Sequence, residues 1–172
     1  MKWLLIVVGL IAALVGGVIL IGMFLPQNHT AARTVHLSAS TDSVWSLITD
    51  VEQQPVWRKD VSEVETMSRE PVLRWRETTG GDRITYEATA SERPSHFVAR
   101  IADKSLPFGG SWDYRLQPNG TGTTLTITEN GEVYNPLFRF VSRYVMGHTG
   151  TIDKYLTALA ARTGDKYVPE AD

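Results

Sequence analysis

Cysteine is absent from this chain. Its absence excludes disulfides, thiol nucleophiles and thiolate metal sites, and it is compatible with either side of a membrane. An excess of one charge is missing too. Seventeen Lys and Arg stand against 19 Asp and Glu, a net charge of −2 with the signs interspersed, so no basic face for nucleic acid stands out. There is no internal repeat, no low-complexity run, no HExxH zinc pattern, no nucleophile-triad spacing and no phosphate-binding glycine loop. No metal and no cofactor is expected. The last scarcity is local: from Trp3 to Leu25 no side chain is charged or strongly polar.

Those 23 residues would form a helix about 35 Å long, enough to cross a hydrocarbon core of about 30 Å. A cleaved signal peptide has a shorter apolar stretch and a small-x-small cleavage site, whereas this run ends in Gly-Met-Phe-Leu-Pro. His29-Thr30-Ala31-Ala32 imitates such a site only beyond the run. The expectation is an uncleaved single-pass anchor over residues 1–26 in the cell membrane. Lys2 and the terminal amine favour a cytoplasmic N-terminus, opposed by Arg33, which places the domain on the outer side. Gly9, Ala13 and Gly17 recur every four residues, a spacing that lets two membrane helices approach and form a homodimer, although small residues are common in such helices anyway.

Residues 27–32 read as a linker, 33–164 as one domain and 165–172 as a flexible tail. The domain is long enough to bury roughly two-thirds of its unfolded surface. Arg33–Ala39 alternates weakly as a first strand. Ser40 or Thr41 caps a short helix from Asp42 to Thr49, and Pro55 starts a second helix or turn. Six candidate strands follow: Val61–Arg69, Leu73–Thr78, Arg83–Ser91, His96–Ala102, Ser111–Gln117 and Thr123–Glu129, separated by Gly, Pro and Asn turn residues. Asn135-Pro136 pairs an N-cap with the residue favoured at the first helical position. From there one helix is expected to about Thr163, its stripe formed by Leu137, Val141, Tyr144, Val145, Ile152, Tyr155, Leu156 and Leu159, until Gly164 stops it. Strands followed by a long amphipathic helix imply an α+β architecture, a curved antiparallel sheet closing on that helix with space between them.

Parity along the strands sorts the side chains. Trp75, Tyr86, Ala88, Phe97, Ala99, Trp112, Tyr114 and Ile127, with Tyr144 and His148 on the helix, are the expected ligand-binding set; each could equally belong to a packed core. Three polar residues fall on the apolar side: Glu77, Glu129 and His148. A carboxylate beside His148 would support acid/base chemistry, and these are the catalytic candidates. The plainer expectation puts both glutamates at solvent-facing strand ends and gives His148 a neighbouring hydrogen bond. Gly147 and Gly150 should weaken or bend the helix, either as a gate or for close packing against the sheet. Leu106-Pro107-Phe108-Gly109-Gly110 reads as a mobile apolar loop at a cavity mouth or against lipid.

Taken together these pieces resemble a known family. The carriers are Val44-Trp45-Ser46-Leu47-Ile48-Thr49-Asp50 with Pro55-Val56-Trp57, Leu106-Pro107-Phe108-Gly109-Gly110-Ser111-Trp112, Leu125 to Val133, Asn135-Pro136-Leu137-Phe138-Arg139-Phe140, and Tyr155 to Leu159. In element order from Arg33 to about Gly164 the chain resembles the START-like helix-grip (SRPBCC) superfamily, in its polyketide cyclase/dehydrase and lipid-transport branch. The resemblance implies a helix-grip fold and a hydrophobic small molecule as partner. It leaves open a lipid or quinone binder, a cyclase or dehydrase using His148 and a glutamate, and a membrane-tethered interaction module, because fold does not settle activity. An anchor departs from the family's common pattern.

Overall fold

Alternation of apolar and polar residues builds the sheet, and turn residues fold it into a meander. The computed structural model describes residues 2–169, the side chain of Met146 excepted. Helix α1 (Lys2–Phe24) comes first and is long and apolar enough to cross a membrane. Strand β1 (Asn28–Leu37) is followed by α2 (Thr41–Thr49), a 3₁₀ turn (Val51–Gln53) and α3 (Gln54–Trp57). Six strands succeed one another: β2 (Val61–Ser68), β3 (Arg74–Thr79), β4 (Asp82–Glu92), β5 (His96–Ile101), β6 (Phe108–Asn119) and β7 (Gly122–Val133). The chain closes with α4 (Pro136–Val141), a π-helical turn (Ser142–Met146) and α5 (Gly150–Thr163). All strand pairs are antiparallel, in the order β1-β7-β6-β5-β4-β3-β2.

Local chemistry fixes the element ends. The Ser40 hydroxyl accepts from the Ser43 amide at the start of α2, and Asn135 Oδ1 accepts from Leu137 and Phe138 at the start of α4. Gly164 ends α5 at φ 82°, a left-handed conformation that costs glycine nothing. Helix α5 lays Ile152, Tyr155, Leu156, Leu159 and Ala160 against the concave face of the sheet, and α2 adds Val44, Trp45 and Ile48. Ile152, Leu156 and Leu159 are fully buried. Removing each from water stabilises the fold by about 1.5–3 kcal/mol.

Four expectations are corrected. Residues 27–32 are no linker: Asn28–Ala32 are the first half of β1, paired with Glu132–Thr128 of β7. The C-terminal helix is not continuous. At Gly147 the backbone turns to φ 72°, ψ 176°, which no helix accommodates, so the expected bend is a break. Leu137, Tyr144 and Val145 therefore leave the core stripe and stand exposed. The Leu106–Gly110 segment is half strand, with Phe108, Gly109 and Gly110 paired to Val133, Glu132 and Gly131. The tail begins fastened. Asp165 accepts from the amide and hydroxyl of Ser38, and the Tyr167 hydroxyl donates to Asp153 at 2.6 Å. Residues 170–172 of that tail lie outside the described residues.

Candidate functional site

The interior of the grip is aromatic. Trp75, Phe97, Ala99, Tyr114 and Ile127 are buried as expected, and Tyr86, Ala88 and Trp112 pack against them half-buried. Tyr155 of α5 is the hub: its ring lies 5.4 Å from Trp57, 5.6 Å from Trp112 and 5.8 Å from Tyr114, all edge-on. Trp75 stacks on Tyr86 at 5.5 Å. Edge-on and offset pairs of this kind each contribute about 0.5–1.5 kcal/mol beyond burial.

A charged pair sits in this apolar setting. Glu77 is 5% exposed, not at a solvent-facing strand end. Its Oε1 accepts from the Trp75 indole at 3.0 Å, and its Oε2 accepts from Arg58 Nη1 at 3.1 Å. Arg58 also donates to Gln54 Oε1 at 2.6 Å, and Gln54 in turn donates to the Ile48 carbonyl. The guanidinium lies 5.2 Å over the Tyr155 ring, a cation–π contact. Burial alone would lower its pKa; the Glu77 charge outweighs that and raises it, so Arg58 stays charged. Burial likewise raises the phenols of Tyr86, Tyr114 and Tyr155, keeping all three protonated.

Not every polar group here is satisfied. Trp57 Nε1, Arg58 Nε and the Tyr155 hydroxyl are buried with no hydrogen-bond partner, although the Tyr114 hydroxyl lies close to the last. All three belong to side chains in mutual contact. Trp57 also forms the inner wall of a groove of about 530 Å³ between α2, α3 and the end of α5, where Leu47, Val56 and Arg162 line the outside.

His148, Tyr144 and Glu129 occupy a second place, the junction of α1 with the domain. A cavity of about 380 Å³ there is lined by Leu25, His29, Arg139, Ser142, Tyr144 and His148 among others. His29 Nε2 donates to Glu129 Oε1 at 3.2 Å, and the Trp112 indole donates to Glu129 Oε2 at 2.8 Å. The carboxylate only accepts, so Nε2 of His29 carries the proton. The His29 ring stacks on His148 at 4.0 Å, and His148 Nδ1 meets the Ser142 hydroxyl at 3.3 Å. Gly131 makes this possible, since a Cβ on it would run into the His29 ring. Arg139 fastens the junction by donating to the carbonyls of Val133, Tyr134 and Leu25. The expected His148–glutamate pair is thus mediated by His29, and neither Tyr144 nor His148 lines the interior of the grip. Among the described residues, no three His, Asp or Glu side chains converge as metal ligands.

Trp57, Arg58, Tyr155 and His29 are absent from the expected site residues. Trp57 and Arg58 follow a helix-initiating proline, and Tyr155 has the spacing of an ordinary core residue. His29 belongs to a segment too polar to read as a strand.

No curated protein sequence matches the chain. Solved structures do. A START superfamily protein from Mycobacterium smegmatis shares 17% identity over 79% of this chain and 97% of its own, with a TM-score of 0.60. The Zhui aromatase/cyclase from a Streptomyces species shares 14% over 80% and 94%, with a TM-score of 0.63. A protein from Thermus thermophilus shares 19% over 78% and 97%, with a TM-score of 0.64. At these identities the likeness is one of fold, the helix grip. Residues 28–164 match the sequence pattern of polyketide cyclase / dehydrase and lipid transport proteins, strand β1 included. The chain belongs to the polyketide cyclase / dehydrase and lipid transport family.

Proposed function

We propose that this chain binds an apolar small molecule in the grip between sheet and α5, held beside a membrane by α1. The supporting observation is the trio of unpartnered polar groups: Trp57 Nε1–H, Arg58 Nε–H and the Tyr155 hydroxyl. A buried donor without an acceptor costs about 1–3 kcal/mol, so a ligand bringing one oxygen acceptor relieves that cost. The remainder of the ligand gains about 25 cal/mol for each Å² of apolar surface it buries among the aromatic rings. The ligand class is therefore a lipid-like or ring-bearing molecule with a carbonyl, carboxylate or phenol at one end. The groove at Trp57 is the approach. Helix α1 keeps the domain among membrane-derived ligands and raises their effective concentration. In this reading the N-terminus is cytoplasmic and the domain lies outside. The Gly9, Ala13 and Gly17 stripe, open to its surroundings, pairs two copies.

Extraction of the full chain, purified in mild detergent, is expected to yield one apolar ligand per protein by mass spectrometry. Tyr155→Phe should then weaken rebinding about five- to tenfold while the fold persists. Repeated recovery of protein that holds and rebinds no apolar molecule rejects the reading.

One observation favours turnover instead: Glu129, His29 and His148 form a carboxylate–imidazole–imidazole stack beside a cavity. If that stack is catalytic, His148→Ala removes turnover of an apolar substrate and leaves thermal stability nearly intact. A loss of stability alone makes the histidine structural.

A further inference from the structure

Large apolar side chains that remain exposed on the domain are not scattered evenly. Of nine outside α1 (Val56, Met67, Val72, Tyr134, Leu137, Phe138, Tyr144, Val145 and Val168), five fall between Tyr134 and Val145. Phe138 is 48% exposed, Tyr144 61% and Val145 72%. Leu137 and Phe138 precede Tyr144 and Val145 by seven residues, two helical turns, which places the four along one side of α4 and the π turn. This side is continuous with the end of α1. Gly22 lets α1 approach the backbone of Pro136 so closely that a Cβ there would collide with the proline carbonyl. Arg139 ties α4 to the carbonyl of Leu25. Charge accompanies the apolar face. Arg139 donates to carbonyls only, and Arg143, exposed, meets no carboxylate among the described residues.

We infer that α4 and the π turn lie in the headgroup layer of an anionic bilayer, with Phe138, Tyr144 and Val145 in the acyl boundary and Arg143 among the phosphates. This rests on the reading of α1 as an anchor. A short segment with Phe and Leu on one side and Arg on the other is suited to the interface, where an apolar face sinks about 5–10 Å below the headgroups. Since Tyr144 and Arg143 also line the junction cavity, that cavity opens at the lipid surface.

The absence of cysteine makes the test direct. Full-length Val145→Cys, Val56→Cys and Leu14→Cys proteins, each carrying an environment-sensitive fluorophore, are reconstituted in phosphatidylglycerol-containing vesicles with or without brominated acyl chains. Bromolipid is expected to quench the label at 145 at least about threefold more than the label at 56, which sits on the far groove, and to quench the label at 14 most of all. Adding Arg143→Gln, or exchanging the anionic lipid for phosphatidylcholine, should reduce quenching at 145 and leave position 14 unchanged. Quenching at 14 but not at 145 overturns the inference and leaves the anchor standing; quenching at neither overturns both. An apolar signal at 145 that appears only at high protein-to-lipid ratio assigns the face to a second copy of the chain, and likewise overturns the inference.

Discussion

Two glutamates in this molecule have nearly the same partners and opposite circumstances. Glu77 accepts from the Trp75 indole and from Arg58; Glu129 accepts from the Trp112 indole and from His29. The first assembly lies inside the grip, where the Glu77 side chain is 6% exposed, and the second lies half-buried at the junction with α1, where Glu129 is 19% exposed. Their cations differ in kind. Arginine keeps its charge at any ordinary pH, so the interior pair is permanent, while imidazole gains and loses its proton near neutrality. The interior is thus built to present fixed donors to an apolar guest, and the junction is built from groups that respond to their surroundings. The same side-chain set serves orientation in one place and adjustment in the other.

Removing one carboxylate at a time should separate the two most strongly. Glu77→Ala leaves Arg58 buried with only Asp60 as counter-charge, and is expected to lower unfolding free energy by about 3 kcal/mol or more in denaturant titration. Glu129→Ala should cost about 1 kcal/mol, because water reaches the groups it abandons. Equal costs would erase the distinction. The double change Arg58→Met with Glu77→Leu sharpens it further. Apolar replacement of a buried ion pair is often neutral or stabilising, so the double variant should recover most of the lost stability. It should still fail to rebind the extracted ligand, since one of the three free donors is gone.

Alkali probes the interior alone. Tyr86, Tyr114 and Tyr155 hold folded-state pKa values raised chiefly by burial. Above about pH 10 the unfolded chain releases these protons while the folded chain retains them, so stability falls as pH rises, by about 1.4 kcal/mol per phenol per pH unit. Phenolate absorbance should show these three tyrosines ionising only as the circular dichroism signal of the fold is lost. Ionisation in the intact fold would mean that water enters the grip.

The interior was the more legible of the two regions in the sequence. Strand parity is a local rule, and it placed Trp75, Phe97, Tyr114 and Ile127 on the concave face because every second residue must point there. It also put Glu77 inward, yet its partner Arg58 sits 19 residues earlier on a different element, a separation no periodicity encodes. The junction was nearly invisible. His29 reaches β7 only because Asn28–Ala32 extend β1, and the alternation of that stretch is too polar to announce a strand. A 3.6-residue stripe across Gly147 and Gly150 suggested one helix; the glycine at φ 72° interrupts it and swings His148 from the core onto His29.

The smallest effect tests whether the junction stack is held by shape. Gly131 pairs directly with His29 across β1 and β7, and the imidazole lies over the space where a side chain would stand. Gly131→Ala should therefore displace the ring, lengthen its bond to Glu129 and separate the two imidazoles, at a cost of about 1 kcal/mol. The same substitution in a His29→Ala background meets no ring. There it should cost nothing measurable or add a few tenths of a kcal/mol, because alanine suits a strand better than glycine. A coupling energy near zero between positions 29 and 131 would mean that the glycine serves the strand and not the histidine. Imidazole proton resonances of His29 and His148 supply the independent readout: ring-current shifts from stacking at 4.0 Å should vanish together in Gly131→Ala, while the grip's aromatic resonances stay in place.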